Sequence, residues 1–470
     1  MKKLKLFIEN FLAYGLVNIL NKIVPLIMLP ILAKILKDTA DFGVFDMFIT
    51  IINFGSAFAV LGVYDSMFRE YFEKDSEDYK AKVTSSAMVI VFIASMIVMF
   101  FMILFRAAFS KIFFGNYNCI NIVIMSAVGI FFMANRNIIS APTRIQNKRK
   151  IYVVSGLLNS LGYYLLAIYL LQKGFGYNGM IYANLIASII IFAFFLKINY
   201  KHFSFKKYDK PVAKELLRVG LPTLPVFLIY WVFSSFDKII IMNVLGAGQQ
   251  GIYSMGLRVA SVSQLIYSAF AGGWQYFAFS TMKDDDQVGM TSKIFEYLGV
   301  ISLIMFAIVT PMSNWVFQLF FSGDFEKAGV VFPYLFLSPL LLMVFQVASN
   351  QLLVVKKTYM ITGSLCIGVI VNVVLNYVLI DKFGIKGCSA ATLIGYIVSV
   401  ILIVAITTKM DLLKIKGRFG IVSLIAAIST FLLFIGNNYY IIGMIAVCIS
   451  TIVLYMPDFK NLILLIKNRK

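Results

Sequence analysis

Apolar runs of about twenty residues recur along the chain, separated by short polar punctuation. Each run is long enough to cross a hydrocarbon core of about 30 Å as a helix. A lipid-facing backbone must satisfy its own hydrogen bonds, and a helix does so within one segment. The pattern predicts fourteen spans: 9–35, 45–69, 84–106, 119–138, 152–172, 178–197, 217–243, 251–280, 292–312, 328–353, 358–380, 387–408, 419–436 and 439–456. A β-barrel would show alternating segments of about ten residues, and the sequence has none. The expected fold is an all-α polytopic membrane protein.

Composition agrees. Only 14% of the 470 residues are charged and mean hydropathy is +0.88, whereas a soluble domain carries about a quarter charged residues. The net charge of +20 does not point to nucleic acid, because most basic residues fall between the spans. With the N-terminus placed in the cytoplasm, 29 basic residues lie in the inner loops and tails and 8 in the outer loops. That asymmetry is a positive-inside signal, and the even span count puts both termini in the cytoplasm. The opening MKKLKLF runs into its apolar stretch without a small-residue cleavage site, so it reads as a retained first span. The longest connection, 198–216, is basic and is expected to lie on the anionic inner leaflet as a linker.

The short connections leave no room for a receptor or enzyme domain. No GxxxxGK[ST] phosphate loop is present. Cys119, Cys366, Cys388 and Cys448 show no paired spacing, and His202 is the one histidine, so neither a metal centre nor a catalytic triad is expected. The sequence reads as a non-enzyme without a cofactor.

The chain also repeats itself. Tyr152–Val–Val–Ser–Gly156 returns as Tyr359–Met–Ile–Thr–Gly363, and Gly176–Tyr–Asn–Gly179 as Gly384–Ile–Lys–Gly387. Phe42–Gly–Val–Phe45 resembles Gln250–Gly–Ile–Tyr253, and Gly15–Leu16 resembles Gly220–Leu221. The repeat covers six spans, an even number, so the two copies enter the membrane in the same direction, as parallel transporter repeats do. The organisation read from it is an N-terminal six-helix bundle at 1–205, a second at 206–409, and two further spans with a basic tail at 410–470.

Ionised residues inside a span cost roughly 2.5–3.5 kcal/mol on insertion scales and usually face a cavity or a partner. Here they are Lys22, Asp65, Arg69, Arg136, Asp237, Lys238 and Arg258, with Asp46 and Glu296 nearer an interface. Asp65 and Arg69 are four apart and could neutralise each other; Asp237 could bridge to Arg258. The surplus is basic, which suits an anionic cargo, since Arg matches phosphate oxygens. Uncharged polar residues share helix faces as well: Gln346 with Asn350, and Asn372 with Asn376. Such pairs either line a path for hydroxyl-rich groups or hold helices together.

The stretches YGLVNILNKIVPLIMLPILAKILKDTADFGVFD at 14–46, GVYDSMFREYF at 62–72 and FDKIIIMNVLGAGQQGIYSMGLRVA at 236–260, with the two GxxG segments, resemble Wzx-type polysaccharide flippases. These belong to the superfamily that also contains multidrug exporters and the lipid II flippase. The resemblance implies that undecaprenyl-pyrophosphate-linked oligosaccharide repeat units of O-antigen or capsule type are moved from the inner to the outer leaflet of a bacterial inner membrane. Membrane lipids, polysaccharide polymerase and chain-length machinery are the implied partners. In this reading Lys22, Arg69 and Arg136 receive the pyrophosphate, while Lys238 and Arg258 guide it outward. H⁺ or Na⁺ acting at Asp65, Asp237 or Glu296 drives the return. Lys238 stands where the family pattern has Arg, which keeps the charge but not the bidentate phosphate contact. The rival readings are a cation-coupled multidrug exporter and a membrane polysaccharide polymerase.

Overall fold

The computed structural model describes residues 22–281 and 284–467, and every regular element in them is helical. Residues 9–21 of the first predicted span, with the Gly15–Leu16 copy of the repeat, lie outside the described residues. Helix α1 occupies 22–36. It is followed by α2 (Thr39–Val60), α3 (Val63–Tyr71), α4 (Glu77–Leu104), α5 (Arg106–Phe114), α6 (Ile120–Ile145), α7 (Arg149–Gln172) and α8 (Gly176–Asn199). Then come α9 (Lys210–Gly220), α10 (Leu224–Val244), α11 (Gly246–Ala260), α12 (Ser263–Ser280) and α13 (Gln287–Phe320). Helices α14 (Phe332–Val354), α15 (Thr358–Lys409), α16 (Gly417–Phe434) and α17 (Tyr440–Lys467) complete the order. Among the described residues eleven helices are long and apolar enough to cross a membrane.

The predicted spans coincide with these helices, but three are broken. The span 45–69 is α2 and α3, separated where Leu61 and Gly62 turn left-handed. The span 217–243 is interrupted at Leu221–Thr223, a short 3-10 turn containing Pro222, because proline removes a helical donor. The span 251–280 divides between α11 and α12. Conversely, α15 runs unbroken for 52 residues by hydrogen bonding, yet Gly384 inside it has φ 55° and ψ −140°. It is therefore two spans joined at one glycine.

Two compact units result. Of the described residues, one takes those up to Ser254 with Ser322–Phe325, and the other takes those from Met255 to Phe321 and from Glu326 onward. In the first, α6 packs against α2, α4 and α8. In the second, α14 is the most buried span and packs against α12, α13 and α15.

The repeat is visible in backbone angles. Left-handed residues pair up along the chain: Gly115 with Gly323, Gly176 with Gly384, Asn147 with Lys356, and Lys37 with Gly246. All these pairs share, to within one residue, the 208-residue separation that also relates Asp46 to Ser254. The GxxG motifs acquire a physical reason. Their first glycine supplies the positive φ, and their second lets the returning helix pass close to Leu170 or Leu379. Alanine at Gly384 is expected to cost about 1–3 kcal/mol, the usual strain for such a backbone. Gly363→Ala, with open space around its Cβ, serves as the neutral control in a thermal-unfolding measurement.

The basic linker is stitched to the first unit. Three consecutive hydroxyls near the start of α4 hold it: Thr84 Oγ1 donates to the His202 carbonyl at 2.6 Å, Ser85 Oγ accepts from Ser204 N at 3.0 Å, and Ser86 Oγ accepts from Asp209 N at 3.0 Å. Lys82 and Lys207 bridge to Asp78, and Lys82 also reaches Asp209. Asp209 in turn caps α9 by accepting from Val212 N, with Pro211 in the first turn.

Candidate functional site

In each unit one buried carboxylate gathers several side-chain partners, Asp46 in the first and Glu296 in the second. In the first unit Asp46 on α2 is 2% exposed. Its Oδ2 accepts from Lys238 Nζ on α10 at 2.8 Å, Ser254 Oγ on α11 at 2.7 Å and Gln250 Nε2 at 3.3 Å. Gln250 also donates to Ser254 Oγ at 3.0 Å. One helical step from Lys238, the buried Asp237 accepts from the Tyr253 hydroxyl. Charge-assisted hydrogen bonds of this kind are roughly twice as strong as neutral ones.

Helices α2 and α11 approach so closely there that glycine is required. A Cβ on Gly43 would lie 2.0 Å from the Ala247 carbonyl oxygen, and one on Gly251 would lie 1.9 Å from that of Thr39. Thr39 and Gly43 are the repeat counterparts of Ala247 and Gly251. The contact is thus reciprocal, each position meeting its neighbour's image, which is the signature of a two-fold related pair.

The other end of this unit is basic and aromatic. Asp65 and Arg69 are both exposed on α3 and form no ion pair with each other among the described residues. Arg136 on α6 donates to Asn159 Oδ1 on α7 at 3.3 Å. Arg144 on α6 has its guanidinium over Tyr64, Phe68 and Tyr152 at 5.6–5.8 Å and donates to the Tyr64 hydroxyl. Lys22 is half-buried on α1.

In the second unit Glu296 on α13 is 3% exposed. It accepts from Arg418 Nε at 2.5 Å and from the Tyr455 hydroxyl at 2.7 Å. Arg418 lies over the Tyr455 ring at 4.1 Å and reaches Asp458 at 2.6 Å. Glu296 therefore fastens α16 and α17 to α13. Arg258 is half-buried on the part of α11 that belongs to this unit. Asn372 and Asn376, both fully buried on one face of α15, keep side-chain oxygens without a donor, while Asn372 Nδ2 donates to Thr392 Oγ1 at 3.1 Å. No group of three His, Cys, Asp or Glu suited to a metal ion occurs among the described residues.

The eight sequence-predicted positions are thus dispersed. Lys238 joins the network around Asp46, Asp237 accepts from Tyr253, Asp65 and Arg69 share α3, and Glu296 belongs to a separate anchor.

A family model described as polysaccharide biosynthesis protein matches residues 31–329, more than half of the chain. The chain belongs to that family. Among curated proteins it is 25% identical over 322 residues to a probable low-salt glycan biosynthesis flippase, Agl15, of Haloferax volcanii. The match covers 63% of this chain and 66% of that protein, so the chain spans just under two thirds of this relative. An uncharacterised membrane protein of Methanocaldococcus jannaschii is 22% identical, with 76% and 75% covered. Among solved structures, the lipid II flippase MurJ in an inward closed conformation superposes with a TM-score of 0.71 at 17% identity, covering 95% of this chain and all of that one. An inward-facing multidrug transporter of the MATE family gives 0.63 at 15% identity, covering 83% and 94%. This family member therefore has the helical transporter fold shared by those proteins.

Proposed function

We propose that this protein flips undecaprenyl-pyrophosphate-linked oligosaccharide repeat units from the inner to the outer leaflet of a bacterial inner membrane by alternating access. One observation carries the reading: a chain of the polysaccharide biosynthesis family is folded as a MurJ-like transporter. In it, Arg69, Arg136 and Arg144 at the basic end of the first unit meet the pyrophosphate, Arg144 being pre-oriented by three rings. Lys22, Lys238 and Arg258 continue the path, and Asp237 steadies Tyr253 beside Lys238. The flipped repeat units then pass to a polymerase and chain-length system outside.

The test is deletion of the gene in its host, with surface polysaccharide, cytoplasmic-leaflet lipid-linked precursor and drug susceptibility measured together. Lost polymer with accumulated precursor supports the flippase. Intact polymer with sharpened drug susceptibility favours the multidrug reading, to which the MATE-like fold gives a structural basis.

Transport of this kind needs an energy source, and we propose an ion. Among the positions first considered, Asp237 and Glu296 are each engaged by tyrosine or arginine, and Asp65 is exposed. The buried oxygens of Asn372 and Asn376 are better suited to a hard cation such as Na⁺, which takes oxygen ligands. Replacing Asn376 by Leu is then expected to abolish Na⁺ stimulation of flipping in proteoliposomes. Equal rates with and without Na⁺ in the parent protein would turn the assignment to protons.

A further inference from the structure

The most buried span, α14, carries three carboxamides at its α15-proximal end: Gln346, Asn350 and Gln351. Asn350 is 7% exposed and Gln351 1%. Asn350 Nδ2, Gln351 Nε2 and Gln346 Oε1 are all buried without a protein hydrogen-bond partner. Gln346 and Asn350 are one turn apart, and Gln351 follows immediately.

An unpartnered buried amide costs about 1–3 kcal/mol, and native proteins keep few of them. Three on adjacent turns of one helix therefore require a reason. Gln351 is not loosely placed: its Oε1 accepts from Gln287 Nε2 on α13 at 2.9 Å, and Gln287 is itself braced against Thr291 Oγ1 at 3.4 Å. The acceptor end of Gln351 is thereby occupied, and its donor end is aimed away from Gln287. Gln287 acts as a positioning residue.

The chemistry of the set selects a ligand. Two donors and one acceptor without formal charge do not suit a cation, which N–H groups repel, nor an anion, which would need a cationic partner in so dry a site. They suit hydroxyl groups, each of which donates and accepts. We infer that Gln346, Asn350 and Gln351 form a binding site for uncharged hydroxyl-bearing groups, namely the glycan portion of the cargo. The inference rests on the flippase reading above. A site built to hydrogen-bond hydroxyls also rejects a ligand that lacks them, because its buried amides stay unpaired.

The test uses the full-length purified protein and two probes. One is the lipid-linked oligosaccharide fraction extracted from a host strain lacking the gene; the other is bare undecaprenyl pyrophosphate. Thermal unfolding is followed with each, in the parent protein and in the variant Asn350→Leu, which leaves the Gln287–Gln351 hydrogen bond in place. In the parent, the glycosylated lipid should raise Tm more than the bare lipid. In the variant that difference should vanish, with affinity for the glycosylated lipid falling at least tenfold and that for the bare lipid unchanged.

The unliganded variant should unfold at the parent's Tm or above it, since an apolar side chain replaces an amide whose donor is unpaired. A clear fall in unliganded Tm would mark the amides as glue between helices and overturn the site. Retained discrimination in the variant would overturn it as well, leaving the amides to ordered water. A parent protein that responds to neither lipid would sink the flippase reading and this site together, which separates that failure from the other two.

Discussion

Asp46→Leu should destabilise the first unit by about 3–5 kcal/mol, the cost of leaving one member of a buried ion pair without its partner. Lys238 Nζ is then stranded beside an apolar side chain, and Ser254 and Gln250 lose their shared acceptor. Asp46→Asn keeps the shape and an acceptor oxygen, and should cost less. Removing both charges, as Asp46→Leu with Lys238→Met, should cost less than the two single changes added together. Thermal unfolding of the four proteins as a double-mutant cycle measures this directly. Simple additivity would mean that the 2.8 Å contact contributes nothing of its own. On the proposed function, flipping should fall with Asp46→Leu even where folded protein is recovered, because Lys238 no longer has its fixed partner.

The second large effect is expected at Glu296. Glu296→Leu leaves Arg418 with Asp458 as its remaining carboxylate and takes the acceptor from the Tyr455 hydroxyl. The loss should again be about 3–5 kcal/mol, concentrated in α16 and α17, whose amide protons would exchange faster. Arg418→Lys should not be silent, since an ammonium cannot span two carboxylates and stack on a ring as a guanidinium does. The measurement also separates anchoring from ion coupling. Glu296→Gln that unfolds earlier yet keeps the ion dependence of transport identifies an anchor. Unchanged stability with lost ion dependence would restore the coupling role first considered for it.

Helix content and order were legible because hydrophobic length is a direct consequence of the bilayer, and runs such as 84–106 and 387–408 have no other reading. The breaks were harder to see. Leu61 adopts φ 53° without being glycine, so nothing in its identity announces a turn inside the span predicted at 45–69. Charges inside the spans stand out in the sequence, but the partners of Asp46 and Glu296 are far away along the chain. Asp46 meets Ser254, and Glu296 meets Arg418 and Tyr455; no local spacing encodes such pairs. The i, i+4 pair suggested by spacing fared differently: among the described residues Asp65 and Arg69 form no ion pair with each other, since an exposed pair gains only a few tenths of a kcal/mol. Arg144 escaped notice because its aromatic surroundings come from α3 and α7, while its own neighbours are basic loop residues.

The reciprocal packing of α2 and α11 has a historical meaning. Before the two halves were copies within one gene, a symmetric pair of single-bundle chains would have met at this place with identical residues on both sides. Position 46 would then have faced its own twin, carboxylate against carboxylate or hydroxyl against hydroxyl, and every substitution would have struck the contact twice. Fusion into one chain freed the twins to differ. One copy now holds an acceptor and the other a donor, a complementarity that no symmetric ancestor could have reached by changing a single site.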